Sequence, residues 1–353
     1  MTRIVNITHT DLDGAVAAIV MRPYLVQLAP NYEIYRVGVD TMRPTVQGLI
    51  ESTPNKADLQ LYFTDCSPAD IMDLLKANPE VFYAVYDHHV TAQELHNGDN
   101  CIIDITRCGA MVAYEHLPDK FTGSNMMERL CELTNDHDMW LNRMPESHDL
   151  NNLYYMMNYD DFMARFANGF DGFNEAEQAM LDKYNSEFAA YYSSIYRKNL
   201  PCNGVYLIAN KYISDICMAV EAEHYTWYII ERASDNGVNL SVRTRNGVHI
   251  GFILKNLGIG GGHASAGGVF IPKGKEVTPY IAMICDEIEK AINGSGCIWP
   301  SDLKSESKPS KYECLLWTNP DECRGICGRN GVPCCEYCKL NETTILGVDG
   351  EDD

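Results

Sequence analysis

The fold is decided by the stretch Ile4-Val5-Asn6-Ile7-Thr8-His9-Thr10-Asp11-Leu12-Asp13, in which a short apolar run leads directly into histidine and acid. Two further apolar or aromatic runs end in the same chemistry. Leu59–Phe63 is followed by Thr64-Asp65-Cys66, and Val81–Tyr86 is followed by Asp87-His88-His89. Runs of this kind are typical of buried parallel strands. Because ligands bind beyond the carboxyl ends of such strands, we expect these polar side chains to share one rim.

Segments with helical spacing lie between these runs. Residues from Gly14 to about Leu28 look helical, although Pro23 should kink or break that helix. Pro68–Ala77 and Gly109–Leu117 also show helical spacing. Alternating strands and helices predict an α/β domain with a mainly parallel sheet.

The acids of the predicted rim would repel one another. If Asp11, Asp13, Asp65 and Asp87 converged, each would raise the pKa values of the others. Bound divalent cations are the natural remedy, and mixed Asp and His ligation suits Mn, Fe, Co or Zn better than Ca. A carboxylate between two cations can hold them about 3.5–4 Å apart, as in phosphoryl chemistry. A single Asp at a strand end is usually a turn residue or a cap, but three such endings together favour a metal site.

The rim residues resemble the signature of the DHH phosphoesterases, which reads here as His9-x-Asp11-x-Asp13, then Asp65, then Asp87-His88-His89. A fourth acidic element follows a helix in that family, and the candidate is Asn135-Asp136-His137-Asp138-Met139-Trp140. Asp138 best fits the Asp-x-Trp pattern of the oligoribonuclease-like members, with Asp136 as the rival. The motifs occur in the expected order, and the resemblance covers about residues 1–293.

The resemblance implies a catalytic centre with two Mn or other divalent ions. Its metal ligands would be His9 and Asp11 on one ion, Asp13, His88 and Asp138 on the other, and Asp65 as the bridge. Asp87 would fix the orientation of a histidine, and His89 would face the substrate phosphate. A bridging water, deprotonated near neutral pH, would attack phosphorus.

A glycine-rich segment near the end of the family-like region could bind an anion. Residues 258–268 contain six of the chain's 26 glycines, and glycines let backbone N–H groups surround an anion. The segment resembles the Gly-Gly-Gly-His signature of the DHH-associated domain, and the upstream Leu-Ser-Val-Arg-Thr resembles that domain's Ser-x-Arg strand. The implied substrate-binding residues are Gly260, Gly261, Gly262, His263 and Arg243. Arg243 would make a bidentate phosphate contact, with a structural salt bridge as the alternative.

We therefore expect a two-lobed α/β protein. A parallel-sheet catalytic domain would span residues 1–145, and a smaller α/β substrate-binding domain would span 200–293. A helical connector at 146–199 would join them, with the substrate in the cleft between. The connector contains a long helix that should begin at Asn174, where Glu177 completes a capping box, and end at Asn199-Leu200-Pro201.

Residues 294–353 form a polar, Cys-rich extension with an acidic end. Cys323 and Cys327 could pair with Cys335 and Cys338, or with Cys334 and Cys338, in a structural zinc knuckle. Disulfides and free thiols are the alternatives. Such a tail could contact nucleic acid, form a homodimer contact or simply be stabilised by its own cross-link.

The composition of the chain limits the length of nucleic acid that it is expected to bind. The 353 residues carry 28 Lys+Arg and 49 Asp+Glu, a net charge of −21, which disfavours a long nucleic-acid track. No transmembrane or signal segment is evident, so a cytoplasmic protein is expected.

We predict hydrolysis of very short oligonucleotides to mononucleotides, with chain-end polarity and RNA or DNA preference open. Alternatives are 3′-phosphoadenosine 5′-phosphate, signalling dinucleotides, and a nucleotide-sequestering binding protein.

Overall fold

The computed structural model describes residues 2–118, 121–262 and 264–293. The chain forms two compact units, Met1–Tyr184 and the part from Asn185 onward. Both contain mixed α/β structure, as the sequence predicts. No helix among the described residues is long and apolar enough to cross a membrane. His263 and the predicted zinc ligands Cys323, Cys327, Cys335 and Cys338 lie outside the described residues.

The first unit is built on a five-stranded, fully parallel sheet of order β2-β1-β3-β4-β5. The strands are β1 (Arg3–Thr8), β2 (Glu33–Arg36), β3 (Leu59–Thr64), β4 (Phe82–Asp87) and β5 (Cys101–Ile103). Its helices are α1 (Leu12–Leu28), α2 (Val39–Ser52), α3 (Met72–Lys76), α4 (Gly109–His116), α5 (Asn125–Asp138), α6 (Pro145–Met156) and α7 (Tyr159–Arg165). The helix α8 (Glu175–Ser194) begins in this unit and ends in the second.

Apolar cores lie on both faces of this sheet. One core joins α1, α4, α5 and α6, and the other joins α2 and α3. Each fully buried aliphatic or aromatic side chain stabilises the fold by roughly 1.5–3 kcal/mol. Strand register matters most for the site. Thr8 pairs with Thr64, and Thr64 pairs with Tyr86, so the chain leaves β1, β3 and β4 at the same edge.

Two local expectations are wrong. Pro23 does not break α1, because every residue from Leu12 to Met21 is buried while Pro23 itself lies on the exposed side. The long helix ends at Ser194 and not at Asn199, because the following residues form a strand.

The capping box expected at the start of α8 is confirmed. Asn174 Oδ1 accepts hydrogen bonds from the N–H groups of Ala176 and Glu177, at 3.0 and 2.9 Å. Glu177 Oε2 in turn accepts from the Asn174 N–H at 2.8 Å. Two backbone donors at the helix start and one before it are thereby satisfied.

The second unit is built on a six-stranded mixed sheet of order β10-β11-β9-β8-β7-β6, in which β7 and β8 are parallel. Its strands are β6 (Tyr196–Leu200), β7 (Gly204–Ile208), β8 (Trp227–Ser234), β9 (Gly237–Thr244), β10 (Gly260–Gly262) and β11 (Ala266–Pro272). Its helices are α9 (Ile213–Ala222), α10 (Ile250–Asn256) and α11 (Thr278–Ile292). The helices α10 and α11 pack on the sheet face that carries Trp227, Leu240 and Ile271.

Candidate metal centre

Seven of the eight residues predicted for the catalytic centre come from the carboxyl ends of three adjacent strands. His9, Asp11 and Asp13 follow β1, Asp65 follows β3, and the Asp87-His88-His89 segment begins at the last residue of β4. The eighth, Asp138, is the last residue of α5. The parallel register makes this convergence possible, because β1, β3 and β4 end side by side.

Three side chains form the group that we call the first trio: His9, Asp11 and Asp65. One possible ligand atom from each lies within 4.8 Å of the others. His9 Nδ1 lies 2.7 Å from Asp11 Oδ2 and 3.7 Å from Asp65 Oδ2. Asp11 is also the N-cap of α1, since its Oδ1 accepts from the Gly14 N–H at 3.0 Å. The cap holds one carboxylate oxygen in place and leaves the other facing His9.

A second trio, Asp13, His88 and Asp138, meets the same 4.8 Å criterion. His88 Nε2 lies 3.7 Å from Asp13 Oδ2 and 3.6 Å from Asp138 Oδ2. Asp13 is buried, and its two oxygens accept from the N–H groups of Gly109 and Ala110 at 2.6 and 2.8 Å. These donors open α4, where the helix dipole favours negative charge.

Asp65 lies between the two trios. Its Oδ2 is the atom nearest His9, and its Oδ1 lies 3.3 Å from His88 Nε2. The Asp65 backbone has a φ of 52°, a left-handed conformation that is uncommon outside glycine and is typical of strained functional positions. The carboxylate is thus held where both sets of ligands can share it.

Burial and mutual repulsion oppose full ionisation of the cluster. Burial, followed by the charges of Asp13, Asp11 and Asp138, raises the pKa of Asp65 well above its ordinary value. Burial and the charges of Asp13 and Asp11 raise the pKa of Asp138 to about 8. Burial opposes ionisation of Asp11 as well, but hydrogen bonds from His9 and Gly14 outweigh it and lower the pKa to about 2.

The residues fit a pair of divalent cations. Asp65 Oδ2 is buried and has no hydrogen-bond donor among the described residues, although a buried carboxylate oxygen is normally paired. Burial lowers the pKa of His88 and so favours the neutral imidazole, which is the form that binds metal. Cations would supply both the missing partner for Asp65 and the positive charge that the clustered carboxylates need.

We predict that the metal-free protein loses stability as the pH rises from about 4 to about 8. A carboxyl whose folded pKa exceeds its unfolded pKa keeps a proton in the folded state that the unfolded chain has released. The loss of folding free energy therefore begins as the pH rises above 3.8, the ordinary pKa of an Asp carboxyl. It is complete above about pH 8, the pKa of Asp138 in the folded protein. Thermal melts with chelator should show this fall, and saturating Mn²⁺ should flatten it.

The matched variant for this pH test is Asp138→Asn, which removes one titrating group from the cluster. Its metal-free melting temperature should fall less steeply with pH than that of the wild type. Identical profiles for the two proteins would contradict the assignment of the effect to Asp138.

Asp87 and His89 form a pair beside the trios. Asp87 is fully buried at the end of β4, and its Oδ1 lies 2.8 Å from His89 Nδ1. This contact raises the pKa of His89 and so favours the protonated ring. The His89 side chain is 50% exposed, so an imidazole with a raised pKa faces solvent next to the cluster. The histidine that the sequence expects Asp87 to orient is therefore His89.

The structure places Asp138, and not Asp136, in the cluster. Asp136 is fully buried and serves a different purpose. Its carboxylate accepts from the N–H groups of Arg143 and Met144 at 3.0–3.1 Å and from Ser147 Oγ at 2.7 Å. It therefore organises the turn into α6, whereas Asp138 lies at the end of α5 and faces His88.

Alanine at these two positions should separate the two roles. Asp136→Ala should lower the free energy of unfolding by about 3 kcal/mol, because buried donors lose their acceptor, and should leave two metals bound. Asp138→Ala should not lower metal-free stability at neutral pH, because it removes a carboxyl whose pKa is raised to about 8, and it should weaken binding of one metal. Chemical denaturation and metal analysis would check both variants. Loss of metal in a folded Asp136→Ala protein would contradict this division.

Two glycines that sequence analysis did not single out bring the backbone close to the site. A Cβ at Gly14 would lie 2.4 Å from the His9 carbonyl oxygen, and a Cβ at Gly109 would lie 2.7 Å from both Cα and Cβ of Asp65. Both distances are shorter than real Cβ atoms show, so any residue other than glycine would force the neighbouring backbone to move. Gly109 has a sequence signal, since it is the first residue of a predicted helix, but its partner Asp65 is 44 positions away.

Arg36 and Tyr154 also support the site and were not predicted. The Tyr154 hydroxyl donates to the Thr10 carbonyl at 2.6 Å, and Arg36 donates to the same carbonyl at 3.0 Å and to the Tyr154 hydroxyl at 2.9 Å. The Arg36 guanidinium also lies 4.1 Å from the centre of the Tyr159 ring. These contacts fix the turn between His9 and Asp11.

The predicted phosphate-binding residues lie in the second unit. Gly260, Gly261 and Gly262 form β10, which pairs with β11. Arg243 lies on β9 opposite Ala266 of β11. Its Nε atom is buried without a hydrogen-bond partner, and it makes no ion pair with any other described residue. The alternative of a structural salt bridge at Arg243 is therefore not found within the described part of the chain.

Comparison with known proteins identifies the fold. No protein-family model and no curated protein sequence match this chain. A solved DHH domain, described as coming from a member of a family of ribosomal proteins, is 14% identical with a TM-score of 0.59; the match covers 82% of this chain and 87% of that one. PggH, a pGpG-specific phosphodiesterase from Vibrio cholerae, is 15% identical with a TM-score of 0.51, over 84% and 100% of the two chains. The chain therefore has the fold of DHH-domain proteins.

Proposed function

We propose that this protein is a metal-dependent phosphodiesterase that hydrolyses very short oligonucleotides, of about two to five nucleotides, to mononucleotides. The observation that carries the proposal is the division of six side chains into two trios that meet at Asp65. Two divalent cations bound there would activate a water molecule and neutralise the charge that develops on the phosphate oxygens.

The protein's own residues have distinct tasks in this proposal. Asp65 serves both trios, and its strained backbone fixes its position before the substrate arrives. His88 stays neutral because burial lowers its pKa. The contact with Asp87 raises the pKa of His89, and the His89 side chain is half exposed, so it can donate a hydrogen bond to a phosphate oxygen of the substrate.

The net charge and one protein with the same fold support the proposal of a short substrate. A net charge of −21 repels a long polyanion. One protein with this fold, PggH, is named for hydrolysis of the linear dinucleotide pGpG, and we propose a substrate of similar size here. Signalling dinucleotides therefore remain a second candidate substrate for the same centre.

The test is a substrate panel with Mn²⁺. We expect mononucleotide release from RNAs of two to five nucleotides, with a steep fall in kcat/KM for longer chains. The panel should also contain linear and cyclic dinucleotides, 3′-phosphoadenosine 5′-phosphate and pyrophosphate. Asp65→Asn protein, purified in parallel, controls for contaminating nucleases. Equal rates on a thirty-nucleotide RNA would refute the length limit, and a dinucleotide bound but uncleaved would indicate a sequestering protein instead.

A further inference from the structure

A cavity of about 350 Å³ opens on the face of the second sheet opposite α10 and α11. Its floor is formed by β8, β9 and β11, and Ile213, the first residue of α9, lies at its edge. Its volume is within the range of small-molecule sites. All of its lining residues belong to the second unit.

The floor of the cavity is an ordered array of side chains. Strand register places Ser241 between Ile230 and Gly268. One step further along the sheet, Asn239 lies between Arg232 and Phe270. Residues two apart on a strand point to the same face, so Arg243 lies on this face as well, in the row beyond Ser241.

Four polar side chains of this face lack a partner among the described residues. Within the part of the chain that the structure describes, Arg232, Asn239, Ser241 and Arg243 make no side-chain hydrogen bond or ion pair. Arg232 is exposed, whereas Arg243 is partly buried and its Nε atom has no partner among the described residues. Unpaired donors around a cavity indicate a ligand with acceptor groups.

The apolar wall of the cavity suits a flat ring. Phe270 is 50% exposed, and both it and Ile213 line the cavity. Bases stack on exposed aromatic side chains in this way, and such a contact strengthens binding by about tenfold. A Cβ at Gly268 would meet no atom within 4 Å, so the absence of a side chain there keeps the cavity open.

We propose that this cavity binds the base of a nucleotide whose phosphate contacts Arg243, and that the preferred base is guanine. Arg232 supplies the preference, because O6 and N7 of guanine both accept hydrogen bonds from a guanidinium, whereas adenine offers only N7 on that edge. Asn239 and Ser241 provide further polar contacts, and Phe270 provides the stacking surface. This inference rests on the proposed function, since it assigns a base preference to the proposed class of nucleotide ligand.

The test measures binding of GMP, AMP and ribose 5-phosphate to the full chain by calorimetry, with chelator present so that metal-centre binding does not contribute. We expect GMP to bind at least about tenfold more tightly than ribose 5-phosphate, with AMP between them. Gly268→Leu should fill the cavity and abolish the advantage of GMP, while ribose 5-phosphate affinity stays within about twofold. Arg232→Gln should reduce the affinity for GMP to that for AMP.

The matched control is Gly48→Leu, a glycine of α2 at which a Cβ also meets nothing within 4 Å. It should bind all three ligands as the wild type does. If thermal unfolding shows that Gly268→Leu does not fold, Phe270→Ala is the second variant. It removes the aromatic ring that would stack on the base, and its affinity for GMP should be about tenfold lower. Equal binding of GMP and ribose 5-phosphate by the wild type, or an undiminished GMP advantage in folded Gly268→Leu, would overturn the proposal.

Failure of this inference can be distinguished from failure of the proposed function. Hydrolysis of a dinucleotide with Mn²⁺ reports on the metal centre, whereas calorimetry with chelator reports on the cavity alone. A base-dependent affinity without hydrolysis would support the cavity as a base-binding site and refute the proposed phosphodiesterase activity. Hydrolysis without a base-dependent affinity would support the phosphodiesterase activity and refute the cavity as a base-binding site.

Discussion

Asp65→Asn is expected to lower kcat/KM for a dinucleotide by at least about 10³-fold and to remove at least one bound metal. Asp65 contacts His9 of the first trio and His88 of the second, so its loss weakens both sets of ligands together. Asparagine is the suitable replacement because it tolerates the left-handed backbone at this position, where φ is 52°. The measurements are steady-state kinetics with Mn²⁺ and metal analysis of the purified protein.

A surface replacement, Asp99→Asn, provides a control with the same chemical change, since Asp99 is exposed and precedes β5, at the amino end of that strand and not at a carboxyl end. It should keep full activity and two metals. Metal-free Asp65→Asn should be at least as stable as the wild type, because the variant removes a buried carboxyl whose pKa is raised by burial and by neighbouring acids. If two metals remain bound to Asp65→Asn, the assignment of Asp65 as the shared ligand is wrong.

Gly109→Ala is expected to lower activity by about 10²-fold although it changes no charged residue. The added Cβ would lie 2.7 Å from Cα and Cβ of Asp65, so one of the two segments must move. The Gly109 and Ala110 amides also hold both oxygens of Asp13, and a shift of α4 would therefore disturb both trios. Overpacking of this kind costs about 1–3 kcal/mol of stability.

Gly48→Ala is the matched control for Gly109→Ala, because a Cβ at Gly48 meets nothing within 4 Å. It should raise the free energy of unfolding by about 0.4–1 kcal/mol and leave activity unchanged. Kinetics and chemical denaturation of both variants would measure the two effects. Full activity in Gly109→Ala would show that the close approach to Asp65 is not needed for catalysis.

Much of the metal centre could be predicted because its chemistry is local in sequence. Each of the three motifs follows an apolar strand directly, and the carboxyl ends of parallel strands share one rim. His9, Asp11 and Asp13 could therefore be placed near Asp65 and His88 before any contact was known. The choice between Asp136 and Asp138 could not be made in this way, since it depends on how α5 ends and on which donors surround each carboxylate.

The wrong expectations have a common origin in long-range contacts. Propensity predicts a break at Pro23, but the burial of the residues from Leu12 to Met21 in α1 outweighs it. The residues after Ser194 have no strong strand pattern, yet pairing with β7 makes them β6. Local propensity is a weak prior that tertiary packing can override.

The sequence by itself determined the α/β class, the order of the motifs and the residue types that converge at the strand ends. These features depend on short-range periodicity and on a general property of parallel sheets. The tertiary structure alone decided that Asp65 lies between the two trios, that Gly109 must lack a side chain, and that an open cavity lies beside Arg243, lined by donors that have no partner among the described residues. Each depends on distances between residues remote in sequence, and packing sets those distances.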